Sequence, residues 1–564
     1  MSRSERRRQD KPGPPAGPSA RTIELKRLLD EAVFHHRAGH FAEAEPLYRL
    51  VLQAEPTHAP ALHMLGLLAY QVGKLEQAAD LISQAVRHDA GQAPYFFNLG
   101  VVLSRQGKSP PAAAAYRQAL RLRPDYTEAH CNLGNILREQ GKLEAAVEAY
   151  RKALTINPDY VDAHNNLGVA LEELGRYDGA VASYECALRL NPKHAEAHSN
   201  LGNALKELGK LDEAVASFDR ALALKPEYAK GHYNLAFAYL WQGRLDQAHV
   251  AFMRSAELKQ NHGLQMSAQS VYKSRIKHEA EQIRYLFDRG LVPQEQSGYL
   301  AALERVNVDT VRGPNRANRI EMTAETTKEI APSFNYIVYH AGTRPLPQGA
   351  LNPALDVAAI EARYNASRPE IMYVDGLLNE EALGEMRRFC LQSTIWKKDY
   401  ENGYLGAFLG DGFSSPLLLQ ISEELRLRFP GIFKDHRLRQ AWAFKYDSQL
   451  RGLNIHADAA AVNVNFWITP DEANLDPDHG GLVVWDKEAP REWNFREYNN
   501  TTMEPKIREF LKTSRAKAVT VPYRQNRAVI FNSDLFHETD RISFKDGYEN
   551  RRVNITLLYG KRFG

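Results

Sequence analysis

The 564-residue sequence predicts two fold classes in one chain: an all-α array of helical repeats, then an all-β sandwich or jelly roll with flanking helices. Three observations predict this multidomain arrangement. A 34-residue period runs through the first half. The last third breaks into short β-rich runs punctuated by Gly, Asn, Asp and Pro. The composition, 44% hydrophobic and 25% charged, is that of globular protein and excludes a collagen, a disulfide scaffold and a chain disordered throughout.

Residues 1–22 open the chain with an Arg run, followed by a stretch rich in Pro, Gly, Ser and Ala. They lack an apolar h-region and cannot bury apolar area, so a solvated, disordered tail is expected rather than a secretory signal. No apolar run reaches the roughly 18 residues a membrane span needs. With 72 Lys+Arg against 69 Asp+Glu, the net charge of +3 gives no electrostatic case for nucleic acid. Three cysteines, Cys131, Cys186 and Cys390, are too few for a disulfide framework or a Cys-based zinc site. A reducing, cytoplasmic location is expected, with neither membrane nor nucleic acid as partner.

Residues 23–262 hold seven copies of the period, starting at Leu25, Ala59, Ala93, Thr127, Val161, Ala195 and Ala229. Each carries two stretches with apolar residues at i, i+3, i+4 and i+7, which predicts a helix pair. A small residue (Ala44, Ala78, Ala112, Ala146, Ala180, Ala214, Ala248) lets the two helices approach. Four residues later a large one, Tyr in most copies, fills the seam to the next repeat. Pro56, Pro124, Pro158, Pro192 and Pro226 end second helices, because proline cannot continue the ladder. No copy buries its faces alone, so stacking makes the core.

These copies resemble tetratricopeptide (TPR) repeats, and the resemblance implies a superhelix whose first helices line a concave face. Two polar columns recur on those helices: Asn98, Asn132, Asn166, Asn200 and Asn234 at position 6, and His130, His164, His198 and His232 at position 4. The Asn column is similar to that of the O-linked N-acetylglucosamine transferase superhelix, which implies binding of an extended polypeptide by its backbone. An amide offers donor and acceptor together, so it can pair with a peptide group without reading sequence. The competing reading is that both columns serve hydrogen bonds between repeats. The His column is not expected to bind metal, since stacked repeats lie too far apart to share a ligand set.

Residues 263–369 are read as a helical cap, SVYKSRIKHEAEQIRYLFDRGL, and a turn-rich connecting region, with no activity assigned. From about Ile371 the runs QAWAFKYD, LNIHAD, AVNVNFWIT, GGLVVW, AKAVTVPY, RAVIFNS and RRVNITLLYG read as strands. His456 and Asp458 are two apart at a strand end and so share a face. His537 follows RAVIFNS, and Arg552 opens a late strand. Two His and one carboxylate on one face of a metal, with the remaining positions open, describe a non-haem iron facial triad. An Arg across the barrel can take a distal carboxylate in a paired hydrogen bond.

In this order the residues of 370–564 resemble the 2-oxoglutarate- and iron(II)-dependent oxygenases, prolyl hydroxylases in particular, whose fold is a double-stranded β-helix. The resemblance implies iron(II) on His456, Asp458 and His537, 2-oxoglutarate on Arg552 with Tyr446, and oxygen as co-substrate, with ascorbate as reductant. Asn463 and Asn465 alternate with Trp467 on one strand face; the Asn pair is expected at the pocket and Trp467 in the core. Arg551 and Arg552 both stand at the strand start, so either can be the one that faces inward. From Asp458 to His537 is 79 residues, long for the simpler members; the excess, APREWNFREYNNTTMEPKIREFLKTS, reads as a loop and helix beside the site. The acidic loop Asp471, Glu472, Asp476, Asp478 and His479 reads as solvated.

The function expected is hydroxylation of a polypeptide recruited by the repeats. Two readings compete with it: an oxygenase of small molecules whose repeats bind a partner, and a repeat scaffold carrying an inactive barrel.

Overall fold

A computed structural model describes residues 20–261, 271–312, 319–401, 403–447, 449–450, 455–490, 493 and 501–561. Of the expected tail 1–22, residues 1–19 with the Arg run lie outside the described residues, whereas Ala20–Thr22 belong to the first helix. The chain divides into two compact units between Gly209 and Lys210.

The repeat helices come in pairs. They are α1 (Ala20–Arg37), α2 (Phe41–Ala54), α3 (Ala59–Gln71), α4 (Leu75–His88), α5 (Ala93–Arg105), α6 (Ser109–Leu122), α7 (Thr127–Glu139), α8 (Leu143–Ile156), α9 (Val161–Glu173), α10 (Tyr177–Leu190) and α11 (Ala195–Glu207) in the first unit. The second unit opens with α12 (Leu211–Leu224), α13 (Ala229–Trp241) and α14 (Leu245–Asn261). A glycine with φ between 73° and 79° turns the chain inside every pair, from Gly39 to Gly243, a backbone region closed to most side chains. The even-numbered helices from α2 to α12 run 14 residues, whereas α14, with Gln260 at the proline position, runs 17.

In the second to fifth copies, the bulky residue four after the small Ala packs on a glycine of its own first helix. A Cβ on Gly100, Gly134 or Gly168 would stand 2.5–2.6 Å from the ring of Tyr116, Tyr150 or Tyr184. The same side chain also reaches the seam expected from the period: Tyr48 clusters with Leu65 and Leu68 of the next copy. The glycine is therefore the missing half of the contact, and its place in the period was the overlooked signal.

The second unit continues with β1 (Val271–Tyr272), α15 (Lys273–Phe287), α16 (Ser297–Arg312), β2 (Arg319–Ile320) and α17 (Ala324–Ile330). After these come α18 (Val357–Ala366), β3 (Ile371–Val374), α19 (Glu380–Gln392), β4 (Lys398–Asp399), β5 (Tyr404–Phe408), α20 (Pro416–Arg428) and α21 (Pro430–Phe433). The remaining elements are β6 (Leu438–Tyr446), β7 (Gln449–Leu450), β8 (Val462–Trp467), β9 (Leu482–Glu488), α22 (Glu504–Thr513), β10 (Ala518–Val521), β11 (Ala528–Asn532), β12 (Leu535–Thr539), β13 (Ile542–Ser543) and β14 (Val553–Tyr559).

Seven strands form one antiparallel sheet in the order β3-β11-β8-β14-β6-β5-β4, and β10-β9-β12 form a second. Period-2 alternation sorts the large sheet's side chains. Val462, Val464 and Phe466, with Val553, Ile555, Leu557, Ala441 and Ala443, join a core shared with α13, α14 and α18–α21. The opposite face, including Phe444, Tyr446, Trp467 and Phe531, packs with Leu482, Val484 and Val521 of the small sheet. The last repeat pair is built into this unit: Trp241 Nε1 donates to Leu438 O at 3.1 Å, and Lys259 pairs with Asp411 at 2.9 Å.

Candidate functional site

The site lies between the two sheets. Its first strand segment ends in His456-Ala457-Asp458, and its second is β12, a strand the sequence runs did not reveal. His456 and His537 form an isolated antiparallel bridge, with N–H···O distances of 3.0 and 2.8 Å. The Asp458 N–H donates to Ser533 O at 3.1 Å. Alternation does the rest. Ala457 and Phe536 turn away into a separate cluster with Ile507 and Leu511 of α22, so the segment inserted between Asp458 and His537 buttresses the back of the site.

His456, Asp458 and His537 each present a ligand atom, and these atoms lie within 4.8 Å of one another. His456 Nε2 is 3.9 Å from Asp458 Oδ1, and His537 Nε2 is 3.4 Å from Asp458 Oδ2. His537 Nδ1 lies 3.0 Å from Leu535 O, a bond that orients the ring with Nε2 facing the carboxylate. The donor set of two imidazoles and one carboxylate therefore fits a divalent transition metal. Burial raises the Asp458 pKa, but hydrogen bonding and charge from His537 and His456 outweigh it and hold the carboxyl below its usual range.

The cavity beside these groups is lined by Trp442, Phe444, Leu482 and Thr539, with Asn465, Asn554, Thr556 and Arg552. Arg552 is almost fully buried. Its Nε donates to Gly480 O at 2.6 Å, its Nη2 to Gly481 O at 3.1 Å and its Nη1 to Asn554 Oδ1 at 3.3 Å. The guanidinium also lies over the rings of Tyr446, at 4.8 Å, and Trp467, at 5.7 Å. Among the described residues no carboxylate comes within ion-pairing distance, and burial pushes its pKa down. A buried cation whose hydrogen bonds to Gly480, Gly481 and Asn554 all go to neutral groups is an open place for an anion. Arg551 takes the opposite direction, with Nη2 2.6 Å from Glu281 Oε2 and 3.6 Å from Asp447 Oδ1.

Tyr446 is fully buried beneath Arg552, its hydroxyl 3.2 Å from Thr539 Oγ1. Asn463 is expected at the co-substrate but sits behind the metal ligands instead, where its Nδ2 donates to Asp458 Oδ2 at 2.8 Å. Asn465 lies on the cavity wall, donating to Thr556 at 3.1 Å and accepting from Asn554 at 3.4 Å. Trp467 is core. Thr539, Asn554 and Thr556 were missed in the sequence, although each lies two or four residues from His537 or Arg552 and so shares its strand face. The acidic loop is engaged: His479 pairs with Asp540 and Asp476 with Arg541, both at 2.8 Å.

In the repeats, the His column and three of the five Asn make local bonds. His130, His164, His198 and His232 each bond, through Nε2, the carbonyl of the proline six residues earlier, at 2.8–3.0 Å. Asn98 donates to His63 Nε2 at 2.8 Å, Asn166 to Asn135 at 3.1 Å and Asn200 to Asn165 at 3.2 Å, all across repeat boundaries. Asn132 is half-buried, and Asn234 Nδ2 is buried without a partner among the described residues.

Family models described as TPR repeat match residues 105–137, 134–175, 171–209 and 202–243, and one described as tetratricopeptide repeat matches 35–99. The chain thus carries TPR repeats, a module of protein–protein interaction, followed by a β-rich region. Similar solved structures include MamA, 28% identical, spanning 29% of this chain and 96% of its own, with a TM-score of 0.28. YrrB, a TPR protein with an unusual peptide-binding site, is 24% identical over 33% of this chain and 95% of its own, with a TM-score of 0.29. PilF of Pseudomonas aeruginosa is 23% identical over 36% of this chain and 91% of its own, with a TM-score of 0.33. No curated protein matches. No helix among the described residues is long and apolar enough to cross a membrane.

Proposed function

We propose that the β-rich region is a 2-oxoglutarate- and iron(II)-dependent oxygenase with a double-stranded β-helix fold, hydroxylating a polypeptide that the TPR repeats recruit. One observation carries the reading: the only metal-competent triad found among the described residues opens on the same cavity as a buried guanidinium without a counter-ion.

His456, Asp458 and His537 would hold the iron, leaving its other positions toward the cavity. Iron, 2-oxoglutarate and oxygen together supply the oxidising power that converts a substrate C–H to C–OH, with succinate and carbon dioxide as co-products. Arg552 would take the distal carboxylate of 2-oxoglutarate, replacing part of its carbonyl hydrogen bonding with a charge-assisted pair. Asn463 keeps Asp458 from rotating. Trp442, Phe444 and Leu482 exclude water, while Asn465, Asn554 and Thr556 furnish the polar wall against which bound groups are oriented. Polypeptide as substrate rests on the repeats, which would tether a bound chain to the molecule that carries the site.

The test is succinate formation from 2-oxoglutarate by the full chain with iron(II), ascorbate and oxygen, beside iron-dependent binding of 2-oxoglutarate. Turnover lost in His456→Ala and Asp458→Ala, and stimulated by peptides but not by metabolites, is the expected result. Absence of both turnover and iron-dependent binding would overturn the oxygenase. Stimulation by metabolites alone would overturn the polypeptide substrate.

A further inference from the structure

Two buried arginines stand side by side, and only one of them faces the cavity. What holds the other comes from outside the sheets. On α15, Lys277 and Glu281 are one helical turn apart and meet complementary charges on two neighbouring strand ends. Lys277 Nζ holds both oxygens of Asp447, at 2.8 and 3.0 Å, just past the end of β6. Glu281 Oε2 accepts from Arg551 Nε at 2.9 Å and from Nη2 at 2.6 Å, just before β14. Arg551 Nη2 reaches Asp447 as well, closing a four-membered ionic network. The two strand ends are themselves joined where the Tyr446 N–H donates to Arg552 O at 3.0 Å. Gln282 anchors the helix further, donating to Leu391 O at 3.1 Å and Ser393 O at 2.9 Å.

We propose that Glu281 is a positioning residue for Arg552, acting through Arg551, and that α15 is thereby a structural part of the co-substrate pocket. The inference rests on the oxygenase reading. Consecutive strand residues face opposite ways, so with Val553, Ile555 and Leu557 in the core against the helices, Arg552 faces the cavity and Arg551 stands on the other side, where it needs a carboxylate. Glu281 supplies that carboxylate. Without it the buried Arg551 keeps, among the described residues, Asp447 at 3.6 Å as its anionic partner, and the backbone that carries Arg552 loses an outer anchor. This gives α15, in a region without assigned activity, a defined task.

The experiment titrates 2-oxoglutarate calorimetrically into the full-length protein loaded with nickel(II), which binds without turnover. Glu281→Gln should weaken 2-oxoglutarate binding about tenfold, as loss of an outer-shell partner does, while nickel affinity stays within about twofold. Glu281→Asp should recover most of the loss. Lys277→Met, at a more exposed position, should fold and shift affinity the same way by a smaller factor; it decides the matter if Glu281→Gln does not fold. Wild-type affinity in these variants, with Arg552→Met binding at least tenfold more weakly (about 1.4 kcal/mol), would overturn the positioning role alone. Wild-type affinity in Arg552→Met would overturn the co-substrate pocket and this inference with it.

Discussion

Asn463 donates its Nδ2–H to Asp458 Oδ2 at 2.8 Å from a side chain with no exposed surface. That bond occupies one carboxylate oxygen and sets the rotamer in which the other is 3.9 Å from His456 Nε2. Asn463→Ala should therefore lower divalent-metal affinity by about tenfold while the fold persists. Competition against a chromophoric chelator measures this, and unchanged affinity would show that the sheet alone positions Asp458.

Gly481 carries the carbonyl that accepts from Arg552 Nη2, and a Cβ there would lie 1.8 Å from Val521 O, which is backbone on a paired strand. Gly481→Ala should cost about 1–3 kcal/mol or more of stability, since the strand cannot yield locally. Co-substrate binding should fall with it, as the β9–β10 pairing shifts the carbonyl. Thermal melting and 2-oxoglutarate titration read the two effects separately.

His63 is buried and accepts from Asn98 Nδ2, so its Nε2 must be unprotonated. Burial holds its pKa down to about 4. An unfolded histidine titrates near ~6.5, so below that pH the unfolded chain binds the extra proton. The stabilisation from neutral His63 is complete above that value and is lost as pH falls toward 4, with about 2 kcal/mol gone by pH ~5. His63→Phe, the residue at the same repeat position in Phe97, should flatten this acid limb. Hydrogen exchange of α3 and α5 at neutral and mildly acidic pH tests it locally.

Gly134 lies under Tyr150, and the Gly134→Ala methyl would stand 2.6 Å from the ring. The cost should be about 1–3 kcal/mol, felt first in α7 and α8 because a repeat touches only its neighbours. The double variant Gly134→Ala with Tyr150→Leu should recover part of the loss. Additivity of the two would show that the ring does not rest on the glycine.

The four His-to-proline carbonyl bonds tie each first helix to the turn before it. His164→Ala should cost about 0.5–1.5 kcal/mol and leave metal content unchanged. Reduced metal content at equal purity would return the column to consideration as a ligand set.

Much of the repeat half was legible because its contacts are local. A period of 34 residues names the helices, the small Ala and the terminating prolines. It also exposes the Asn and His columns, but not what they bond, because a column marks recurrence rather than a partner. The structure shows that those partners lie within the repeats: a carbonyl six residues back for His164, and the preceding repeat for Asn166 and Asn200. The triad was legible as types in order, His456, Asp458 and His537. The strand that carries His537 was not, since β12 is only five residues long and makes sense only as the partner of β9.

By itself, the sequence determined the repeat array, the strand alternation that puts Asn463, Asn465 and Trp467 on one face, and the residue types able to hold a metal. These follow from periodicity, and periodicity acts between neighbours along the chain. Only the tertiary structure decided that Asn463 braces Asp458, that α13 and α14 share a core with the sheet, and that Arg552 turns inward while Arg551 turns out. Each of those choices depends on a group far away in the chain. For the two arginines it is the packing of Val553, Ile555 and Leu557 against distant helices that turns Arg552 to the cavity, and Glu281, some 270 residues earlier, that gives the outward Arg551 its countercharge.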